Sequence, residues 1–104
     1  NAIECACQFK DGDGTNLAYP VHFNWWLSDN ADGIDNGTAA GTLASGGAGV
    51  ILQETTSNLV GFGVTNAAGL FDIDITYAGA DVIYLVIALP DGGRLSISSA
   101  LTWT

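Results

Sequence analysis

An all-β antiparallel sandwich is the fold this sequence predicts, and three observations predict it. The first is Val82 to Leu89, eight consecutive apolar or aromatic residues, four of them β-branched, between Gly79 and Pro90-Asp91-Gly92-Gly93. Such a run suits a pleated strand, its borders are strand-ending signals, and it falls far short of the ~20 apolar residues of a membrane-crossing helix. The second is alternation: Phe71, Ile73, Ile75 and Tyr77 interleave with Asp72, Asp74 and Thr76, which writes a strand with one face buried and the other in water. The third is composition, with 48% hydrophobic residues, 12% charged residues and 14 glycines. That excludes disorder and fits short strands joined by glycine turns. A chain of 104 residues makes a single domain, 1–104, long enough for a core of its own.

In chain order, Ile3, Cys5, Cys7 and Phe9 alternate with Glu4, Ala6, Gln8 and Lys10, giving a first strand over 2–10 that Asp11-Gly12-Asp13-Gly14 closes as a turn. Val21, Phe23, Trp25 and Leu27 form the apolar stripe of a second strand, with His22, Asn24 and Trp26 on its other side. Residues 29–49 are polar and rich in glycine and alanine, without either period. They read as a long loop that lacks the apolar area to fix its own shape, mobile in the free domain or ordered by a neighbour. Residues 50–55 and 59–65 are two short strands around the turn Thr56-Ser57-Asn58. Asn66-Ala67-Ala68-Gly69 turns into the alternating strand 70–77, and Ala78-Gly79-Ala80 turns into the apolar run. A last strand over 94–104 pairs with that run through the Pro-Asp-Gly-Gly hairpin. About seven strands, no helix and turns every 8 to 12 residues make an immunoglobulin-like antiparallel β-sandwich, without the cysteine and tryptophan signature of antibody domains. Its expected core is Phe9, Val21 or Phe23, Trp25, Leu27, Phe71, Ile73, Ile75, Val86 and Trp103.

Eleven acidic residues against Lys10 and Arg94 give a formal net charge of -9. That field repels phosphates and anionic lipid, so nucleic acid and membrane surfaces are not expected partners. Cys5 and Cys7 stand two apart on one strand face, awkward for a disulfide, and read as free buried thiols of a protein made in a reducing cytosol. The chain begins at Asn1 rather than Met and shows no signal-peptide pattern, which points to a processed start or to the ordered part of a longer protein.

The segment TNAAGLFDIDITYAGADVIYLVIALPDGGRLSISSALTW, Thr65 to Trp103, resembles the closing strands of the bacterial Ig-like modules carried by virion proteins of tailed phages. In those modules a Thr, a short Asn- or Asp-containing turn and a Gly start one strand, and an apolar strand follows before a Pro-Asp-Gly turn. Thr65, Gly69, Phe71, Pro90, Asp91 and Gly92 are the matching positions. The resemblance covers about a third of the chain and implies a capsid-decorating or tail-associated accessory domain on the particle surface, assembled in the bacterial cytoplasm. Such a domain binds other virion chains, or a host-surface or polysaccharide ligand.

Among candidate sites, Asp29, Asp32 and Asp35 flank the Gly33 turn, and oxygens at alternating positions around a glycine can wrap calcium. Against this, a cation loop aligned on Asp32-Gly33 wants acids where Ser28 and Asn30 stand, and the closing glutamate falls on Ala39; a solvated acidic loop is the simpler reading. Asp72 and Asp74 share a strand face, but alternation alone explains them. His22 is the single histidine and no nucleophile motif surrounds any serine, so no triad follows. Cys5 and Cys7 lack a second pair of zinc ligands, and Asn36-Gly37-Thr38 matches a glycosylation sequon of the kind glycine-rich loops often carry by chance. No residue pattern identifies a reaction, and no cofactor is implied. Trp25 and Trp26 must face opposite sides of their strand. One belongs to the core; the other is an interface residue or part of a sugar-stacking platform with Trp103.

One question stays open in the apolar run. Its alternation sets Val82, Tyr84, Val86 and Ala88 against Ile83, Leu85, Ile87 and Leu89, and in a two-layer sandwich only one face meets the core. Exposure of the other favours association. Either the loop 29–49 covers it, with little but alanine and glycine, or another chain does. The sequence therefore predicts a homo-oligomer, or docking on another virion chain, through Ile83, Leu85, Ile87 and Leu89 with Trp26 as anchor. The carbohydrate-binding module is the alternative, and an enzyme a distant third.

Overall fold

A computed structural model describes residues 2–89 and 95–103. The Pro-Asp-Gly-Gly hairpin, with Arg94 and the matching positions Pro90, Asp91 and Gly92, lies outside the described residues. The chain is an all-β antiparallel sandwich, immunoglobulin-like in its two layers: β1 (Ala2–Gln8), β2 (His22–Ser28), β3 (Thr42–Ser45), β4 (Val50–Thr56), β5 (Val60–Val64), β6 (Leu70–Thr76), β7 (Asp81–Ala88), β8 (Leu95–Ile97) and β9 (Leu101–Trp103). A small sheet runs β1-β6-β3 and a large one β4-β5-β2-β7-β8, with β9 also paired to β7.

The strands exceed the expected seven for two local reasons. Within 29–49, Thr42–Ser45 pairs with β6 from Thr42↔Thr76 to Ser45↔Ile73, so part of the expected loop is β3. Its Leu43 is half-buried against the core, which an alternation search over so short a strand does not detect. The last strand breaks at Ser98. Its Oγ accepts the Leu85 N–H at 2.9 Å while its own N–H donates to the Leu85 carbonyl, and a hydroxyl that takes a ladder position ends the regular pairing there.

The inner faces follow the alternation. Phe23, Trp25 and Leu27 of β2, Phe71, Ile73 and Ile75 of β6, and Ile83, Leu85 and Ile87 of β7 are buried together. Phe9 and Phe71 hold the Phe23 ring between them, with centroids 4.8 and 4.7 Å from it. Every residue of the expected core is buried, Val21 and Phe23 both included. Glycines make room for the aromatics: a Cβ on Gly61 would lie 3.0 Å from the Trp25 ring and one on Gly63 3.2 Å from that of Phe23. The turn before β6 is built as its residues suggest. Thr65 Oγ1 accepts the Val21 N–H, Asn66 Oδ1 accepts those of Ala68 and Leu70, and Gly69 takes a positive φ of 73°.

The expected interface face of β7 is corrected by this packing. Ile83, Leu85 and Ile87 are 0, 3 and 6% exposed and Leu89 packs against the same cluster. They are the core of one chain, and no partner is needed to cover them. The physical reason lies on the opposite face, which is shorter of large side chains: Val86, at 0% exposure, is covered at Gly33, and Val82 is left 46% exposed. A Cβ on Gly33 would stand 3.0 Å from Val86 Cγ2 and 2.9 Å from Ile97 Cδ1. The segment expected to lack a fixed shape is held by Gly37 N–H to the Leu27 carbonyl (2.8 Å), Ala40 N–H to that of Asn58 (2.9 Å) and Tyr77 O–H to that of Thr38, and Ala40 is buried.

Candidate interaction surface

Strand registers order the outer face of the large sheet into rows. Val50, Val64 and His22 form one; Gln53, Phe62, Asn24, Ala88 and Leu95 the next; Thr56, Val60, Trp26, Val86 and Ile97 the third. In the third row Trp26, Val86 and Ile97 meet Gly33, while Thr56 at its end is exposed. The first two are open: Val50 and Leu95 are 49 and 42% exposed, Phe62 and Val64 are half-buried, and His22 and Asn24 are exposed; Leu52, in the register shift of β4 and outside either row, is 47% exposed. Those two rows contain no acidic, lysine or arginine side chain, in a chain of net charge -9. Aliphatic and aromatic side chains with no charge among them fit the core of a protein contact, which is depleted of charged residues.

Sequence patterning could not assemble this patch because it depends on pairing order. Its strongest contributor is β4, whose alternation is broken by register shifts between Ile51 and Gln53 and between Glu54 and Thr56. Such bulges displace side chains from strict period two. The available signal was the run Val50-Ile51-Leu52 itself, too apolar for a strand with a single buried face.

Trp26, the expected anchor, sits on this outer face but half-buried, its indole N–H donated to the Gly33 carbonyl at 2.8 Å. Trp25 and Trp103 lie in the core, Trp103 with its ring centroid 4.7 Å from that of Tyr77. The three tryptophans thus form no common platform. Burial, reinforced by Asp81 and Asp29, raises the Tyr77 hydroxyl well above the ordinary phenol range, so it stays a donor to Thr38.

The three loop aspartates are not brought to one centre. Asp29 accepts the Thr38 N–H, Asp32 the Ile34 N–H and Asp35 the Asn30 side-chain amide at 2.7 Å. Each carboxylate shapes a different turn, and the described residues contain no group of three or more His, Cys, Asp or Glu that could hold a metal ion. Asn36-Gly37-Thr38 runs through the same segment, where Asp29 Oδ1 lies 2.7 Å from the place of a Cβ on Gly37. Asp72 and Asp74 stand on the outer face of the small sheet, Asp74 opposite Glu4 and Asp72 opposite Ala6.

Cys5 and Cys7 are free thiols on the inner side of β1. With Leu85, Ile87, Leu101 and the serines Ser96 and Ser98 they line a groove of about 360 Å³ between β1 and the end of the large sheet. Burial, then the carboxylates of Asp74 and Glu4, pushes Cys5 up to about 11; burial, then Cys5 and Asp72, does the same to Cys7. Both are neutral at physiological pH, so they line the groove as small apolar groups rather than as nucleophiles.

Comparison of the chain with protein-family models, with curated proteins and with solved structures finds no match in any of the three.

Proposed function

We infer that this domain is a non-enzymatic structural module that docks on other protein chains, as an accessory protein of a phage virion, on capsid or tail. The observation that carries the docking reading is the uncharged, half-exposed face of β4, β5, β2 and β8 that includes Val50, Phe62 and Leu95, with the exposed Leu52 in the bulge of β4 beside it. Each large aliphatic side chain withdrawn from water contributes about 1.5 to 3 kcal/mol when fully buried, so this face gains most from a partner of matching shape. The virion setting draws its support from the likeness of Thr65 to Trp103 to phage Ig-like modules. A glycan-binding reading has less support, because the Trp26 ring that a sugar would stack on is half-buried and tied to Gly33.

The test is cosedimentation of the purified domain with the capsid and tail proteins encoded beside its gene. Wild type should sediment with one of them, and Val50→Lys/Leu52→Lys, which changes only exposed positions, should fold and fail to do so. Equal binding by the variant, or binding to none of those chains, would defeat the reading.

A further inference from the structure

The small sheet has a second feature that sequence patterning does not reveal: a long, regular, unpaired edge. The described strands end their sheets at β3, β4, β1, β8 and β9. Four of these edges are blunted in ways that discourage further pairing. β3 has 4 residues, β8 and β9 have 3 each, and β4 carries two register shifts. β1 is different. It pairs with β6 without interruption from Ala2↔Thr76 to Gln8↔Leu70, and among the described residues no strand lies on its other side. A straight edge of seven residues presents a row of backbone donors and acceptors to an incoming chain.

Along that edge Cys5 and Cys7 face the core and Glu4 and Ala6 alternate with them. Toward the interior lies the groove of about 360 Å³ between Cys5 and Cys7 on one wall and Leu85, Ile87 and Leu101 on the other, lined also by Ser96, Ser98 and the neighbouring Glu4, Ala6 and Gln8 of β1. A strand added to β1 would point every second side chain into it. On the outer face Glu4 lies directly opposite Asp74, with Asp72 one row away opposite Ala6, and the three strands of the small sheet contain no lysine or arginine. Like charges facing each other across a ladder are unfavourable. A strand carrying cations on its outer side would place one next to Glu4 and hold Asp72 and Asp74 within about 10 Å, two strand spacings and one screening length away.

We propose that the free edge of β1 is a strand-addition site for an extended segment of a partner chain that alternates aliphatic residues, facing the groove, with lysine or arginine, facing Glu4, Asp72 and Asp74. A second copy of this chain does not fit. Its own β1, with Glu4 and no cation, would add a fourth carboxylate to the same face. The site is separate from the patch on β4 and β5, and it stands or falls independently of the docking reading above.

The probes are two seven-residue capped peptides, one alternating Lys with Val and one alternating Glu with Val, added to the whole isotope-labelled chain. With the Lys/Val peptide, the amides of Ala2 to Gln8 that do not face β6 should become protected from hydrogen exchange and alkylation of Cys5 and Cys7 should slow. The Glu/Val peptide should bind roughly tenfold more weakly, the effect of a few cross-strand charge pairs. Glu4→Lys, at an exposed position, keeps the fold and should shift preference toward the Glu/Val peptide. The proposal is overturned if both peptides bind wild type equally, if protection appears on β4 and not on β1, if neither peptide protects β1 at millimolar concentration, or if the chain alone dimerises through β1.

Discussion

The indole N–H of Trp26 donates to the carbonyl oxygen of Gly33 at 2.8 Å, and this bond holds a loop turn over Val86. Gly33 has a φ of 72°, a left-handed conformation in which a side chain is strained, and its bare α-carbon fits against Val86 and Ile97. Val86, in the outer face of the central strand, is thereby covered from within the chain, in a place where glycine, by bringing backbone close, is more useful than a large side chain, while Val82 on the same face stays 46% exposed.

Gly33→Ala should therefore cost about 1 to 3 kcal/mol, from left-handed strain and the close contact with Ile97 together. Urea denaturation measures the loss, and hydrogen exchange should show faster opening of the Gly37 amide, which donates to Leu27. An unchanged midpoint would mean the turn contributes nothing to covering Val86.

Trp26→Phe keeps most of the ring and removes the N–H, leaving the partly buried Gly33 carbonyl without its donor. The expected cost is about 0.5 to 1.5 kcal/mol, read by the same denaturation experiment. A loss as large as that of a core aromatic, about 3 to 5 kcal/mol, would place the ring in the core and contradict the arrangement described.

A contrast between two glycines tests the packing of β5. A Cβ on Gly61 would lie 2.2 Å from the Gln53 carbonyl oxygen, which is backbone and cannot step aside, whereas Gly79 has nothing within 4 Å. Gly61→Ala should destabilise by about 1 to 3 kcal/mol or more, and Gly79→Ala should stay within about 0.5 kcal/mol of wild type. Equal melting temperatures would show that β4 and β5 do not pair as described.

The thiols predict a pH dependence. Folded Cys5 and Cys7 sit near 11 against an ordinary value of 9.0, so unfolding allows ionisation between those limits. Their contribution to stability is fully present below about pH 9 and is lost as pH rises toward 11. Denaturation midpoints from pH 8 to 11 should fall more steeply for wild type than for Cys5→Ala/Cys7→Ala, and iodoacetamide should label the native thiols slowly at pH 8. Parallel pH curves for the two proteins would contradict the burial of the thiols.

Much of this fold is legible in residue order because alternation survives wherever one face is buried and the other wet: Phe71, Ile73 and Ile75, or Phe23, Trp25 and Leu27, identify their inward side without help. Where both faces are apolar, as from Val82 to Leu89, period two no longer tells core from exterior. The choice between Ile83, Leu85 and Ile87 on one side and Val86 on the other depends on a loop contact between Gly33 and Val86. The candidate surface was less legible still. Val50, Leu52, Phe62 and Leu95 come from three strands joined only through pairing order, and the bulges of β4 erase the local pattern that would have marked its outer side. The free edge of β1 is a property of topology, invisible until β6 is seen on one side of it alone.

The most direct test of the account compares a charge on the buried face of β7 with charges on the open face of β4. Ile87→Glu and Val50→Lys/Leu52→Lys are followed by thermal melting and light scattering. The packing predicts that Ile87→Glu, which puts an unpaired carboxylate into a site 6% exposed and loses a core aliphatic, yields little folded protein. The double lysine variant should melt within a few degrees of wild type as a compact domain. A folded Ile87→Glu with the wild-type melting temperature, beside an unfolded Val50→Lys/Leu52→Lys, would reverse the two faces and contradict the account.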